Sequence, residues 1–426
     1  KRIIYRCQNC GEKLLRWSGR CPACLEWDTI TEEIVEDTKA PPRTTDSPCA
    51  VGIPLCEVTG IQEQRIKSGI SEFDIVLGGG IVPGSAVLVG GEPGIGKSTL
   101  LLQVCANLAT SNSTIYVSGE ESLIQIKLRA KRLGIQGKNI LLTNNTDVDS
   151  IIELSRQHNP CALFIDSIQT ITTHSIEAAP GSVSQIKQSC YELIRFGKEH
   201  SIAVFFIGHI TKLGTIAGPK LVEHLVDTVL YFEGDNLRVM RILRATKNRF
   251  GPTNEVGLFE MTAHGLLPVR NTWNILNDSH KQARGAIVFV MEGTRILPAE
   301  IQALVVNSSY SVPERRVSGI DKNRIGMLLA VMEKRCGLTL RDKDVFVNVV
   351  SGLRIYEPAS DLGCACAIMA SLLDLSLPSN LGFLGEIGLS GELRAVPELD
   401  RRIEEAERVG INEPVSYTHL TLPTTE

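Results

Sequence analysis

The chain has 426 residues, 43% of them hydrophobic and 22% charged, with 44 Lys and Arg against 48 Asp and Glu for a net charge of −4. That length suits two or three domains, and the composition excludes a disordered scaffold or a histone-like polycation. No apolar run reaches the roughly 18 residues of a membrane span, and no signal-peptide core opens the chain, so a cytoplasmic protein without membrane contact is expected.

Four of the twelve cysteines crowd into the first 24 residues as Cys7-x2-Cys10 and Cys21-x2-Cys24. Two such knuckles can present four thiolates tetrahedrally to one Zn²⁺, and so short a segment would draw most of its folding energy from the metal. A redox dithiol or an iron–sulfur site is the other chemistry this pattern suits. Six basic residues (Lys1, Arg2, Arg6, Lys13, Arg16, Arg20) outnumber two acids (Glu12, Glu26) over the first 27 positions, with Trp17 and Trp27 interleaved. This suggests a nucleic-acid or protein docking surface, or a plain solvated basic face. Residues 1–30 are therefore read as a zinc finger, and 31–58, acidic and then rich in Pro, Thr and Ser, as a linker.

Between 59 and 270, short apolar runs (Ala86–Val89, Thr114–Val117, Ala162–Ile165, Ala203–Ile207) alternate with longer amphipathic segments, predicting a parallel sheet covered by helices on both faces. The first run leads into Gly91-Glu92-Pro93-Gly94-Ile95-Gly96-Lys97-Ser98, followed by a helix from Thr99. Strand, glycine-rich turn and helix are the context in which GxxxxGK[ST] binds nucleotide phosphates. Backbone N–H groups and the helix N-terminus would cradle the phosphates of ATP, Lys97 would reach the β and γ oxygens, and Ser98 would hold Mg²⁺.

The run ending at Asp166 has the Walker B form, with its carboxylate supporting Mg²⁺. Ser118-Gly119-Glu120-Glu121 brings two acids to the same sheet edge; Glu120 is preferred as the base that polarises water, the alternative being an acid pair favoured by a helix dipole. His209 ends a further run where a γ-phosphate sensor would sit, or it is structural, and Lys212–Lys220 reads as a mobile basic loop. Beyond 280 the patterns predict an α+β domain to 412. The tail 413–426 looks atypical, as though a final strand and helix were missing.

The four cysteines, the Gly91–Thr99 loop and the pentapeptide Lys247-Asn248-Arg249-Phe250-Gly251 together resemble the bacterial RadA (Sms) family, as do Leu77–Gly80 and Glu223–Asp227. The resemblance implies a RecA-like P-loop ATPase core with an N-terminal zinc finger and a Lon-protease-like C-terminal domain. It further implies hexameric homo-oligomers that act on single-stranded and branched DNA and drive branch migration with the RecA recombinase in homologous recombination and repair. Lys247 and Arg249, two apart on an extended backbone, would point one way. They would meet a neighbouring subunit's γ-phosphate as an arginine finger does, or DNA phosphates, or they belong to a surface hairpin. Aligned with the Lon nucleophile and lysine positions stand Gly363 and Asp400, so no peptidase activity is expected, and Arg315, Arg316, Lys322 and Arg324 are candidates for a DNA path. The competing functions are a nucleotide-controlled DNA-binding adaptor and a KaiC-like signalling ATPase.

Overall fold

The computed structural model describes residues 2–7, 11–27, 29–35, 65–209, 221–234, 240–269, 285–308, 312–350, 353–378, 380–411 and 413–416. They divide into two compact units, Lys1–Glu233 with Arg241–Pro268, and Gly234–Met240 with Val269–Glu426. Cys10, the Lys212–Lys220 segment and the tail from 417 lie outside the described residues, as does nearly all of the 31–58 linker.

At the N-terminus, β1 (Arg2–Cys7) pairs antiparallel with β2 (Lys13–Leu14) and with β3 (Ile30–Val35). The two cysteine turns share one hydrogen-bond pattern. The Cys7 N–H donates to Glu12 O and the Gly11 N–H to Cys7 O; the Cys21 N–H donates to Glu26 O and the Leu25 N–H to Cys21 O, all at 2.9 Å.

The central sheet of the first unit begins with helix α1 (Ser71–Val76) and strand β4 (Ala86–Gly91), followed by α2 (Lys97–Leu108). Next come β5 (Thr114–Ser118), α3 (Leu123–Arg132), β6 (Ile140–Thr143), α4 (Val148–His158) and β7 (Ala162–Asp166). The long α5 (Val183–His200), β8 (Ala203–His209), α6 (Leu221–Leu225) and β9 (Thr228–Glu233) follow. An antiparallel extension, β10 (Met240–Asn248), β11 (Val256–Thr262) and β12 (Gly265–Pro268), completes a sheet of order β12-β11-β10-β9-β4-β8-β7-β5-β6.

The expected parallel centre is there because its strands are apolar on both sides. Val87, Val89, Tyr116, Phe164 and Phe205 face one cluster with Leu100, Leu101 and Phe73, while Leu88, Ile115, Val117, Leu163 and Phe206 face another with Ile151, Ile186 and Leu193. Alternate residues of a strand thus bury under α1–α3 on one face and α4–α5 on the other. Helix starts follow local chemistry: Ser122 and Gln125 form a reciprocal capping box, and Asp147 and Ser182 each accept an N–H of the first turn.

In the second unit, β13 (Ala286–Glu292), β14 (Arg295–Asn307), β15 (Arg315–Ser318), α7 (Lys322–Cys336), β16 (Lys343–Val349) and α8 (Asp361–Leu372) precede β17 (Leu381–Leu384). A small ladder of β18 (Glu386–Ile387) with β19 (Leu393–Arg394), α9 (Leu399–Arg408) and β20 (Glu413–Ser416) finish it. The main sheet runs β15-β16-β14-β13-β17-β20. The domain limit expected at 412 therefore falls just short: residues 413–416 pair in parallel with Leu381–Leu384 and form the edge strand, with Ser416 fully buried. Short and opened by Glu413-Pro414, this strand has no apolar alternation to announce it, and its pairing comes from tertiary context.

Arg402 on α9 is fully buried, and all three guanidinium nitrogens donate hydrogen bonds. It forms a two-pronged ion pair with Glu357 at 2.7 Å on each prong and donates to the carbonyls of Phe289 at 2.5 Å and Pro397 at 2.9 Å. Losing Arg402 would leave the half-buried Glu357 carboxylate and the Phe289 and Pro397 carbonyls without their donor. Arg402→Ala is expected to destabilise this unit by about 1–3 kcal/mol, seen as an earlier urea transition with the first unit's own transition unmoved.

Candidate functional site

At the C-terminal end of β4 the chain turns through Gly94 (φ +79°) and Gly96 (φ +117°) into α2. The φ of +117° at Gly96 is one that residues with a Cβ rarely adopt, so the turn requires glycine there, and Met261 Cε of the β11–β12 hairpin packs 2.7 Å from where a Cβ would stand. From behind, the buried Arg241 donates to Ile95 O at 3.3 Å.

Lys97, almost fully buried, spans the loop and donates to Gly91 O at 2.7 Å and Glu92 O at 2.9 Å. Burial lowers its ammonium from the usual 10.5 to about 8, against the opposing pull of Asp166, Glu120 and Glu92. Because the folded state binds this proton more weakly than the unfolded one, Lys97 makes stability rise with pH between about 8 and 10.5. Polyphosphate oxygens would favour the charged form. ATP binding at pH near 8 is thus expected to take up as much as about half a proton, read by titration calorimetry in buffers of different ionisation heat, and Lys97→Met should abolish that uptake.

Strands β5 and β7 bring the acids to the same edge, since Ser118 pairs with Asp166 in register. Asp166 is buried and accepts a hydrogen bond from the Tyr116 hydroxyl at 2.7 Å. Tyr116 is itself wholly enclosed, and burial together with the Asp166 charge raises its phenol well above the ordinary value, so it remains a donor that orients the carboxylate. The Asp166–Ser167 peptide is cis.

The two glutamates separate cleanly. Glu121 is tied to Arg129 of α3 in an ion pair. Glu120 stays exposed at the edge and accepts from the buried Ser167 hydroxyl at 2.5 Å. Gly119 permits this, because a Cβ there would lie 2.1 Å from Thr170 Oγ1. Ser98 is half-buried at the first turn of α2. His209 ends β8 with its backbone paired to Gly91, which places it at the expected edge, though its side chain lies outside the described residues. Tyr116, Ser167 and Arg129 were not legible as site residues. The one signal was the rule that a buried tyrosine hydroxyl needs a partner, here on the neighbouring strand.

The Lys247–Gly251 segment stands elsewhere. β9 is parallel to β4 with Thr228 against Val87, and β10 is antiparallel to β9 with Asn248 against Thr228. The pentapeptide therefore sits at the end of the sheet where β4 begins, the length of β4, roughly 17 Å, from the phosphate loop at the other end. Lys247 and Arg249 do turn to one place. Lys247 donates to the carbonyls of Glu223 and Val226 at 2.7 Å, closing the end of α6, and Arg249 pairs with Asp227 at 3.3 Å. Burial and the neighbouring Arg249 lower the Lys247 ammonium below the usual lysine value. Buried Asp227 also accepts from Lys198 and from the Ala86 N–H. Arg65 donates to Phe250 O at 2.5 Å and to Leu77 O at 3.0 Å, locking the pentapeptide against the Leu77–Gly80 turn.

In the ribbon, the sulfurs of Cys7, Cys21 and Cys24 lie within 4.8 Å of one another, with Cys7 Sγ and Cys24 Sγ 3.6 Å apart. Tetrahedral Zn²⁺ with bonds of about 2.3 Å holds its sulfurs about 3.8 Å apart, so the set fits the ion. Thr29 Oγ1, 3.2 Å from Cys7 Sγ, can donate to a metal-bound thiolate. In the second unit, Gly363 lies on α8 where a Cβ would be 2.2 Å from Val288 Cγ1, Asp400 is an exposed acid on α9, and the Ser360 hydroxyl donates to Glu357 O at 3.2 Å. No helix among the described residues is long and apolar enough to cross a membrane.

Residues 66–148 match the KaiC ATPase family and residues 5–32 the rubredoxin metal binding domain. DNA repair protein RadA of Bacillus subtilis (strain 168) is 45% identical over 413 residues, covering 95% of this chain and 90% of that protein. DNA repair protein RadA of Brucella abortus (strain 2308) is also 45% identical, over 424 residues, 97% of this chain and 91% of that one. The crystal structure of KaiC-like protein PH0186 from Pyrococcus horikoshii OT3 is 22% identical, covering 48% of this chain and 99% of its own, at a TM-score of 0.40. With a zinc ribbon ahead of a RecA-like, KaiC-type P-loop ATPase, and with that identity along nearly its whole length, the chain belongs to the DNA repair protein RadA family.

Proposed function

We propose that this chain is an ATP-driven DNA motor of homologous recombination and repair, stimulated by single-stranded or branched DNA and extending recombination intermediates by branch migration beside RecA. The observation that carries the reading is the convergence of Lys97, Asp166 and Glu120 on one sheet edge, an arrangement suited to turnover as well as binding. In this reading Lys97 and the loop amides hold the β and γ phosphates. Ser98 would hold Mg²⁺ with Asp166 supporting it, and the ion's charge would offset that of the phosphates. Glu120, steadied by Ser167, takes the proton of the attacking water. Asp166 keeps its orientation through Tyr116.

Lys247 and Arg249 cannot serve the nucleotide of their own chain across the length of β4. Their role in hydrolysis requires a neighbouring copy, which supports a closed homo-oligomer such as a hexamer. The second unit serves as a Lon-like scaffold without Ser–Lys peptidase chemistry, because Gly363 has no side chain at the serine position and Asp400 puts a carboxylate at the lysine position. Arg315 and Lys322 lie at a groove of about 690 Å³ whose floor is largely apolar (Ala303, Leu304, Val317, Phe346), and they are the candidates there for DNA phosphates, Arg316 being paired with Glu314. Arg324 contributes less, being bound to Asp361.

The test is extension of a three-strand intermediate prepared with RecA and then stripped of it. The chain should lengthen heteroduplex only with hydrolysable ATP. ATP consumption without lengthening would contradict the branch-migration reading.

A further inference from the structure

Tryptophan is seldom left in water, yet Trp17 is 64% and Trp27 67% exposed on the ribbon, beside Leu15 and Leu25, which are exposed as well. The two indoles are neighbours. Gly19 lies between them, and a Cβ at that glycine would be 3.7 Å from Trp17 Cη2 and 3.7 Å from Trp27 Cζ3. Among the described residues, neither ring stacks on another aromatic side chain. The Arg20 guanidinium is 5.7 Å from the centre of the Trp27 ring, within cation–π range.

The backbone beneath the pair is braced. Arg20 and Trp27 form an antiparallel bridge, Arg20 Nε donates to Leu25 O at 2.7 Å, and the Ser18 hydroxyl donates to Arg20 O at 2.8 Å. All of this sits on the second cysteine knuckle, so the metal that closes the knuckle also fixes the platform.

We infer that Trp17, Trp27 and Arg20 form a stacking platform for the unpaired bases of single-stranded DNA. Local charge favours this occupant over an apolar protein segment: over the ribbon to Val35 cations exceed acids only six to five, but Arg16 and Arg20 are exposed on either side of Trp17 in the chain, and the Arg20 guanidinium lies over the Trp27 ring. Flat π faces flanked by cations match a strand that offers a base face and a phosphate at each nucleotide. Duplex DNA fits poorly, because its base faces are already stacked on each other. The inference rests on the proposed action on DNA and locates one part of it: the ribbon would grip the displaced or invading strand while the ATPase turns over.

The experiment uses the whole zinc-loaded chain titrated with oligo-dT, reading intrinsic tryptophan emission and, separately, anisotropy of a labelled oligomer. Stacked thymines should quench the emission. W17A/W27A should bind oligo-dT roughly 10- to 100-fold more weakly, with an unchanged slope of log affinity against log salt, since lost stacking releases no counterions. W17F/W27F should restore most of the affinity, and Arg16→Ala with Arg20→Ala should instead flatten the salt slope. Zinc content and DNA-free ATP hydrolysis of each variant check that the fold is intact. Wild-type chain that binds oligo-dT while W17A/W27A binds it equally well would overturn the inference and leave the pair to a protein partner. Wild-type chain that fails to bind oligo-dT at all would overturn the parent reading along with it.

Discussion

Glu120→Gln should lower ATP turnover about 10²- to 10⁴-fold, the usual contribution of a positioned general base, while nucleotide affinity stays close to that of the unaltered chain. The amide keeps an oxygen to accept the Ser167 hydrogen bond, so the loop after β5 should hold its shape. What disappears is the capacity to take a proton. Glu121→Gln is the matched control: its carboxylate is engaged by Arg129 and serves the packing of α3, so hydrolysis should change little. Single-turnover hydrolysis and nucleotide binding measured on both variants separate the roles. A Glu121 variant that is inactive beside an active Glu120 variant would reverse the assignment.

Arg249→Ala should reduce DNA-stimulated hydrolysis about 10³-fold or more if it acts as an arginine finger across a subunit boundary. The sheet geometry supplies a sharper form of the test. Arg249 and the phosphate loop stand at opposite ends of β4, so a chain deficient in Arg249 retains a sound loop, and a Lys97→Ala chain retains a sound Arg249. Mixing the two inactive proteins should restore a fraction of the activity, because some boundaries then combine one intact loop with one intact Arg249. Mixtures that stay inactive while still co-assembling would contradict action in trans. Should Arg249→Ala instead abolish DNA binding with DNA-free hydrolysis preserved, the residue belongs to the DNA path. Lys247 adds a physical reason for coupling: its ammonium closes the carbonyl end of α6, so drawing it to a neighbour's phosphate would release that helix.

Much of the site could be read from the sequence because phosphate chemistry is local. Glycines, Lys97 and Ser98 must be adjacent to wrap a polyphosphate, and the four apolar residues before Asp166 announce a buried strand ending at the sheet edge. What surrounds them depends on long-range packing. Tyr116 meets Asp166 only because β5 and β7 are neighbours, and Glu120 differs from Glu121 only because Arg129 returns on α3 to bind the second acid. Likewise the interlock of Leu77–Gly80 with Phe250 and Gly251 joins residues far apart in the chain through Arg65. The edge strand at 413–416 was missed for a related reason, since its pairing with 381–384 is decided by the rest of its sheet. Gly363 shows the reverse case. The Lon resemblance sets this glycine where that family carries its nucleophile, and a Cβ there would lie 2.2 Å from Val288 Cγ1, so Val288 fills the space a serine would need.

The central claim is that nucleotide turnover at Lys97, Asp166 and Glu120 is coupled to DNA, and it is tested most directly by ATP hydrolysis with and without single-stranded DNA, beside a Lys97→Ala control. The account predicts hydrolysis that rises with DNA and vanishes in the control. Hydrolysis that survives Lys97→Ala, or that ignores DNA in the unaltered chain, would contradict it.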